Sequence, residues 1–583
     1  MTEHARNLIR RMAFGGALSL TFALSSCQPK PIEPVGIELP IGDERVMILG
    51  AATHFAQGWP RSYLKHIHTL EVPHVRDSIY WELVEQNGGE YVFDHWRTTY
   101  PDNLAEIGVD FSITITGNHA LYDDGVTVYK PDDVEALSAF LSETADRFPG
   151  LTAIEIGNEI NSENFLKGPM LEADYPERVA LYSQQLSGVF ETIKATRPDM
   201  TIIGGAAHSV PVDFLDMMFD HDAASAMDAL AIHPYKTEPE HLDDELAVLR
   251  RQLGEQTPPI HVTEFGVSNP IGAADYLMKV VAVMATQGVE VAYWYAMVRQ
   301  TNSDSVPLIE KNGELTDAGR AFRFAQRHLL SHPIRNISPD THTYVFSLGD
   351  RMMLLWGEPR TLETSGPMRA FDATGTALET VPETLDPDQV VILVSNDPLR
   401  LDANVVLGPS PIIVDTFHDY HFEPATPDKP SFERFFIRNG ERIDAQVFGG
   451  GDRKNSRWNP HFGHRNLRPI QIAPTGLVPV AFRTDDGLRK VDIVHRYTAQ
   501  EPETVRLRAR WTPREESVDG LAYEITLNGR KIRDATFTDP VDVTTAALAL
   551  SPGDEIDIRL GVHGDPRNDV TSYRYQILKV EDK

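Results

Sequence analysis

Two glutamates stand where a carboxylate is expensive to place. In "TAIEIGNE" (152–159) an alternating apolar run ends in Asn158 and Glu159, and in "IHVTEFG" (260–266) a second run ends in Glu264. An ionised carboxylate is costly to bury unless it is paired or used. If the two meet, they suit acid–base work: one acid protonates a leaving oxygen while the other carboxylate attacks carbon or activates water. Similar runs elsewhere end in polar or aromatic residues: His54, Arg76, Asn118, His119, His208, His233, Tyr235 and Trp294, with Trp81 a few residues beyond Arg76.

These residues need one surface to converge on. From 45 to 335 the chain alternates short β-rich runs with helix patterns. The runs cover 46–52, 72–78, 109–116, 152–158, 200–205, 229–235, 260–266 and 289–297. One intervening pattern opens with Pro131 and two aspartates and sets Val134, Leu137, Phe140 and Leu141 at helical spacing. Short apolar strands alternating with helices imply parallel pairing through right-handed crossovers. Eight such units predict an α/β fold, a (β/α)8 barrel, in which the C-terminal strand ends share one mouth. A doubly wound sheet is the alternative, but its nucleotide-binding forms carry a glycine-rich phosphate turn after the first strand, and "GAATHFAQGW" is not one.

At such a mouth Glu159 and Glu264 face each other as glycoside hydrolysis requires. Arg76 and Tyr235 can hold Glu264 ionised and aimed. Asn158 can bond a sugar 2-hydroxyl, and Trp294 offers a stacking face. Trp59, Trp81 and Trp294, near neighbouring strand ends, predict an open groove suited to internal cleavage. Each has a plainer reading: a salt bridge for Arg76, a half-buried aromatic for Tyr235, a loop cap for Asn158, barrel packing for Trp294. The histidines, His54, His119, His208 and His233, raise the question of zinc. No H-E-x-x-H spacing is present, and sugar clefts use histidines too, so no metal is expected.

At these residues the chain resembles the clan A glycoside hydrolases. The matching pieces are "GNE" (157–159), "HVTEFG" (261–266), "HPY" (233–235), "VRDSIYW" (75–81) and "YWY" (293–295). It is most similar to family 39 and its biofilm-exopolysaccharide relatives, through "THFAQGW" (53–59), "YWELVEQNGGEYVFDHW" (80–96) and "LTDAGRAFRFAQRHLL" (315–330). The resemblance covers roughly residues 45 to 420. It implies that Glu159 is the acid/base and Glu264 the nucleophile, that anomeric configuration is retained, and that no metal or organic cofactor takes part.

The remaining chain sets the context. A positive segment with Arg6, Arg10 and Arg11, an apolar stretch (12–26) and "LSSC" (24–27) read as a lipoprotein signal, residues 1–26. Cys27, the only cysteine, is the expected lipid-bearing residue, and 27–44 a proline-rich tether. Gln28 after the cysteine suggests the outer membrane. The formal net charge of −31 argues against nucleic-acid binding. Residues 336–425 predict a β-sandwich, and 431–583 a jelly-roll module similar to carbohydrate-binding domains. The loop 448–466, rich in Arg, Trp and His, reads as a solvated loop, with a sugar or domain contact as the second possibility. The function expected is hydrolysis of O-glycosidic bonds in an extracellular or envelope polysaccharide or oligosaccharide. A noncatalytic carbohydrate-binding or polysaccharide-assembly lipoprotein would keep the fold and discard the chemistry. The sequence is silent on oligomeric state.

Overall fold

The computed structural model describes residues 37–42 and 45–580, apart from 222, 302, 425, 427–429 and 486. The expected signal segment and Cys27 lie outside the described residues. Eight parallel strands close a barrel: β1 (Ile48–Ala52), β2 (His74–Asp77), β3 (Asp110–Ile115), β4 (Leu151–Ile156), β5 (Thr201–His208), β6 (Ala229–His233), β7 (Ile260–Phe265) and β8 (Val291–Trp294). They pair in sequence order, and β8 returns to β1 with Ala51 opposite Trp294. Each strand falls within, or overlaps, one of the runs read from the sequence.

Side-chain alternation explains why these runs make a barrel. Ile154, Ile156, Leu230, Ile232 and Val262 point outward into the main apolar core. Ala153, Ala229 and Ala231 form a small separate cluster on the inner face of β4 to β6. The inward positions nearer the mouth are polar. Thr263 donates to Glu155 at 2.7 Å, and the Tyr293 hydroxyl lies 2.9 Å from the His74 ring. The lumen is therefore a hydrogen-bonded layer beneath the site rather than an all-aliphatic plug.

The helices follow their sequence signals. Pro131–Arg147 begins on its proline, has Asp132 and Asp133 in its first turn, and buries Val134, Leu137, Phe140 and Leu141. Negative charge there complements the helix dipole. Tyr175–Thr196 is capped by Asp174, whose side chain accepts from the Glu177 amide at 3.1 Å.

Beyond the barrel lies a five-stranded antiparallel sheet, whose central strands are Thr343–Leu348, Met352–Gly357 and Val391–Ser395. Its two faces do different jobs. Phe346, Leu354, Trp356 and Ile392 join the barrel's core, whereas Val345, Met353, Leu355 and Leu393 build a small core of their own. Two larger antiparallel sheets follow. Strand Ile412–Asp415 pairs with the last strand, Thr571–Lys579, so the chain enters the final module before the proline-containing stretch near 424–430.

The loop 448–466 is docked on the barrel, against the expectation of a solvated loop. Gly449 and Gly450 carbonyls accept from the Val212 and Asp213 amides, each at 3.0 Å. A Cβ on Gly450 would lie 2.2 Å from the Trp458 carbonyl, so glycine is required for the chain to fold back this closely.

Candidate active site

Glu159 follows β4 by three residues, and its backbone is strained. Its φ is +45°, a left-handed value that non-glycine residues adopt at a cost of about 1 kcal/mol or more. Gly157 just before it has φ +87°, and a Cβ there would come within 2.6 Å of Ile160. Arg178 holds the loop that follows. Fully buried, its guanidinium donates to the carbonyls of Ile160, Ser162, Met170 and Leu171 at 2.8–3.3 Å. Asn161 braces the loop to β5 by exchanging bonds of 2.8 and 3.0 Å with the His208 backbone.

Glu264 sits on β7 in a cage of donors. Arg76 Nη1 lies 2.6 Å from Oε1, and the Tyr235 hydroxyl donates to Oε2 at 2.7 Å. Burial alone would raise its pKa; the His233 and Arg76 charges and the Tyr235 hydrogen bond outweigh that and hold it below the ordinary value. Arg76 also reaches Glu155 through Nε at 2.6 Å and Asn158 Oδ1 through Nη2 at 3.0 Å. One guanidinium thus positions three groups, as its rigid fork allows.

Glu155 carries no role in the reading from sequence, yet it underlies the site. It is 1 % exposed. Burial pushes its carboxyl up, but Arg76, His233 and Thr263 bring it down to about 2. His233, fully buried, is wedged among three carboxylates. Its Nδ1 is 3.3 Å from Glu159 Oε1 and 3.9 Å from Glu264 Oε2, and its Nε2 is 3.8 Å from Glu155. Burial opposes its charge, but Glu264, Glu155 and Glu159 together raise its pKa to about 9. Arg76 and His233 then balance Glu155 and Glu264, and the group is neutral when Glu159 carries a proton.

The two catalytic candidates are close. Oxygens of Glu159 and Glu264 and a ring nitrogen of His233 all lie within 4.8 Å of one another. Such a triad could ligate a metal; here the Arg76 guanidinium already supplies the cation beside Glu264. Glu358, Asp415 and His418 form a second such group among the described residues, and Arg574, 2.7 Å from Asp415, provides its counter-charge.

A cavity of about 460 Å3 opens beside Glu264, lined by His54, Arg76, Trp81, Asn118, Asn158 and Tyr295, among others. The buried His54 has no hydrogen-bond partner at Nε2 among the described residues. Desolvation lowers its pKa to about 4, so it meets a ligand as a neutral imidazole. Asp77 accepts from the Thr53 hydroxyl and the Phe55 amide, both at 2.7 Å, and thereby fixes the turn that carries His54.

Several expected substrate contacts lie elsewhere. Trp294 is 0 % exposed; it packs edge-on against Phe265 and donates to the Val306 carbonyl at 2.8 Å. Strand alternation is the reason: Tyr293 faces the lumen, Trp294 the core, and Tyr295 reaches the mouth. Trp81 touches the cavity but is mostly buried, stacked on Tyr122 and bonded to Glu85 at 2.6 Å. With Trp294 in the core and Trp81 stacked on Tyr122 at the cavity wall, the expected row of three tryptophans does not line the mouth. His119 is also structural, 2.8 Å from the Glu85 carbonyl. His233 positions the carboxylates from beneath and has no exposed surface for a sugar. His208 is half-buried, bonded to Ser209 at 2.8 Å, with Trp458 of the docked loop 4.6 Å away.

A buried carboxylate pair at the C-terminal mouth of a (β/α)8 barrel is an arrangement that glycoside hydrolysis can use. The family model described as glycosyl hydrolase catalytic core matches residues 176–322, a span that includes Glu264. The fold is similar to that of a family 39 glycoside hydrolase from the gut symbiont Bacteroides cellulosilyticus WH2. That match has 17 % identity and a TM-score of 0.50, over 60 % of this chain and 81 % of that one. A family 39 β-xylosidase from Caulobacter crescentus aligns at 15 % identity and a TM-score of 0.44, over 61 % and 97 %. A family 86 β-porphyranase from Bacteroides plebeius aligns at 12 % and 0.42, over 93 % and 98 %. No curated protein matches the chain.

Proposed function

We propose that the protein is a glycoside hydrolase that works with retention, by double displacement, on an O-glycosidic bond of an extracellular or envelope polysaccharide. The short reach between Glu159 and Glu264 carries the reading. Retaining enzymes hold their carboxyl groups about 5–5.5 Å apart and inverting ones about 6.5–9.5 Å; one oxygen of Glu159 and one of Glu264 lie within 4.8 Å of each other, which favours the shorter spacing.

In the first step Glu159 gives its proton to the glycosidic oxygen while a Glu264 oxygen attacks the anomeric carbon. The carbon–oxygen bond breaks, the alcohol leaves, and an ester joins sugar to Glu264. The Glu264 charge is then gone. In the second step Glu159, now a carboxylate, takes a proton from water as that water attacks the same carbon and releases Glu264. Arg76 and Tyr235 stabilise the carboxylate that departs. Asn158, its amide oxygen held by Arg76, offers its amide hydrogens to a sugar hydroxyl.

The likeness to family 39 favours xylosides, uronides or biofilm exopolysaccharide as substrates. Localisation in the envelope through a lipid on Cys27, with Gln28 pointing to the outer membrane, belongs to the same proposal; a Cys27→Ser chain that still fractionates with membranes would overturn it. The test of activity is a panel of aryl xylosides, glucosides, mannosides and glucuronides, together with exopolysaccharides. Expected is sugar release whose first-formed product keeps the substrate's anomeric configuration by NMR. Inverted product overturns the mechanism, and release of single sugars from chain ends overturns internal cleavage.

A further inference from the structure

The line from Glu159, just after β4, to Glu264 on β7 divides the mouth. The cavity beside Glu264 is lined from the ends of β1, β2, β3 and β8 and by Asn158 and Phe165. The other side, at the ends of β5 and β6, holds His208, Tyr235 and Lys236, and a side chain from far along the chain joins them there. Trp458, half-buried, has its ring 4.6 Å from His208 and 5.8 Å from the Lys236 ammonium. His208 in turn neighbours Tyr235, the donor to Glu264, with ring centroids 6.1 Å apart.

Trp458 is firmly held. Its Nε1 donates to Tyr175 Oη at 3.3 Å. The next residue, Asn459, is buried, and its amide donates to Thr237 at 2.8 Å and to the two Glu245 oxygens at 2.8 and 3.0 Å. Lys454 reaches the Leu171 carbonyl at 3.2 Å. These are barrel residues that follow β4 and β6. An indole so placed is a rigid apolar face with a polar edge, the form that meets the face of a sugar ring.

The chemistry says which ring. The acid delivers its proton to the leaving oxygen, so the leaving group must pass on the Glu159 side of the reacting carbon. The reacting sugar takes the cavity beside Glu264. We infer that Trp458, with His208 beside it, is the binding platform for the sugar ring of the leaving group, a subsite that the C-terminal module contributes to the barrel. This rests on the hydrolase reading above.

The experiment compares leaving groups. Trp458→Ala and Trp458→Tyr are assayed on a glycosyl fluoride, whose leaving group has no ring, and on an oligosaccharide of the same sugar. The pair is xylosyl fluoride and xylotriose if xylose is the sugar released, and the matching pair for any other sugar. Expected is a loss of about tenfold or more in kcat/KM for Trp458→Ala on the oligosaccharide. The fluoride should be hydrolysed at the wild-type rate, and Trp458→Tyr should recover most of the loss. Equal losses on both substrates, or none on either, would overturn the assignment. A wild-type protein inactive on every fluoride and glycan of the panel removes the hydrolase reading and the subsite with it.

Discussion

His233 Nδ1 lies 3.3 Å from Glu159 Oε1, inside a buried cluster in which Arg76 is the other cation among the described residues. Its pKa is raised from 6.5 to about 9, against the opposing effect of burial, by Glu264, Glu155 and Glu159. A histidine that gains protons on folding adds stability that is complete below 6.5 and is lost as pH rises through 9. The size is on the order of 3 kcal/mol. Urea unfolding followed between these limits should show the decline in the wild type. His233→Gln should be weaker at neutral pH and should lack that decline. An unchanged slope in the variant would show that the histidine is not the charged group.

The two glutamates should fail differently. Glu159→Ala should keep its first step on aryl glycosides with good leaving groups, then stall as the ester. Azide should rescue it and give a glycosyl azide of retained configuration. Glu264→Ala should lose both steps, with azide giving at most the inverted product. NMR of the azide product reads the outcome, and retained product from Glu264→Ala means the roles are reversed.

Tyr235→Phe removes one of the groups that hold Glu264 low. The nucleophile must be ionised to attack, so the acid limb of the kcat/KM profile should move to higher pH. Losing a hydrogen bond to a charged group should also lower kcat/KM by about 10- to 100-fold. A profile with the wild-type acid limb would count against the contact.

Glu245 couples the barrel to the docked loop. Burial raises its pKa from 4.5 to about 7, and the Thr237 and Asn459 hydrogen bonds only partly offset this. The unfolded chain gives up this proton near 4.5 and the folded chain near 7, so wild-type stability should fall across that window. The drop is about 3 kcal/mol. Glu245→Gln, an isostere of the neutral form, should match the wild type below the window and exceed it above. Thermal unfolding at several pH values checks this.

Neighbours on β8 should separate packing from binding. Trp294→Ala should cost about 3–5 kcal/mol of stability, as removal of a buried aromatic does, while KM stays near wild type. Tyr295→Ala should spare stability and raise KM. A KM change in the Trp294 variant alone would restore the stacking role that the structure denies it.

The barrel was legible because its signal is repetitive: apolar runs, helix patterns and polar strand ends recur eight times. Glu159, Glu264, Arg76 and Tyr235 were legible because each sits where a strand opens onto the mouth. Period-two alternation along the "YWY" stretch puts Trp294 in the core and Tyr295 in the cleft. The same alternation marks Glu155 as inward, since Ile154 and Ile156 on either side face the core. Trp458 lies in a loop whose Arg, Trp and His content pointed to a sugar or domain contact only as the second possibility, and Arg178 had no such signal. Trp458 reaches the mouth from another module, and Arg178 binds backbone carbonyls rather than a charged partner, so neither leaves a charge pair or motif to find.

The docking of loop 448–466 also sets a timetable. The loop adjoins strands Gln446–Phe448 and His461–Gly463, which belong to a sheet with Thr571–Lys579, the last strand described, among its interior strands. A growing chain can close its barrel, with both glutamates in place, while this sheet still lacks its final strand. The sheet that carries the wall at Trp458 is completed only once Thr571–Lys579 has been made. One side of the mouth thus depends on a sheet completed far along the chain from the two glutamates it adjoins.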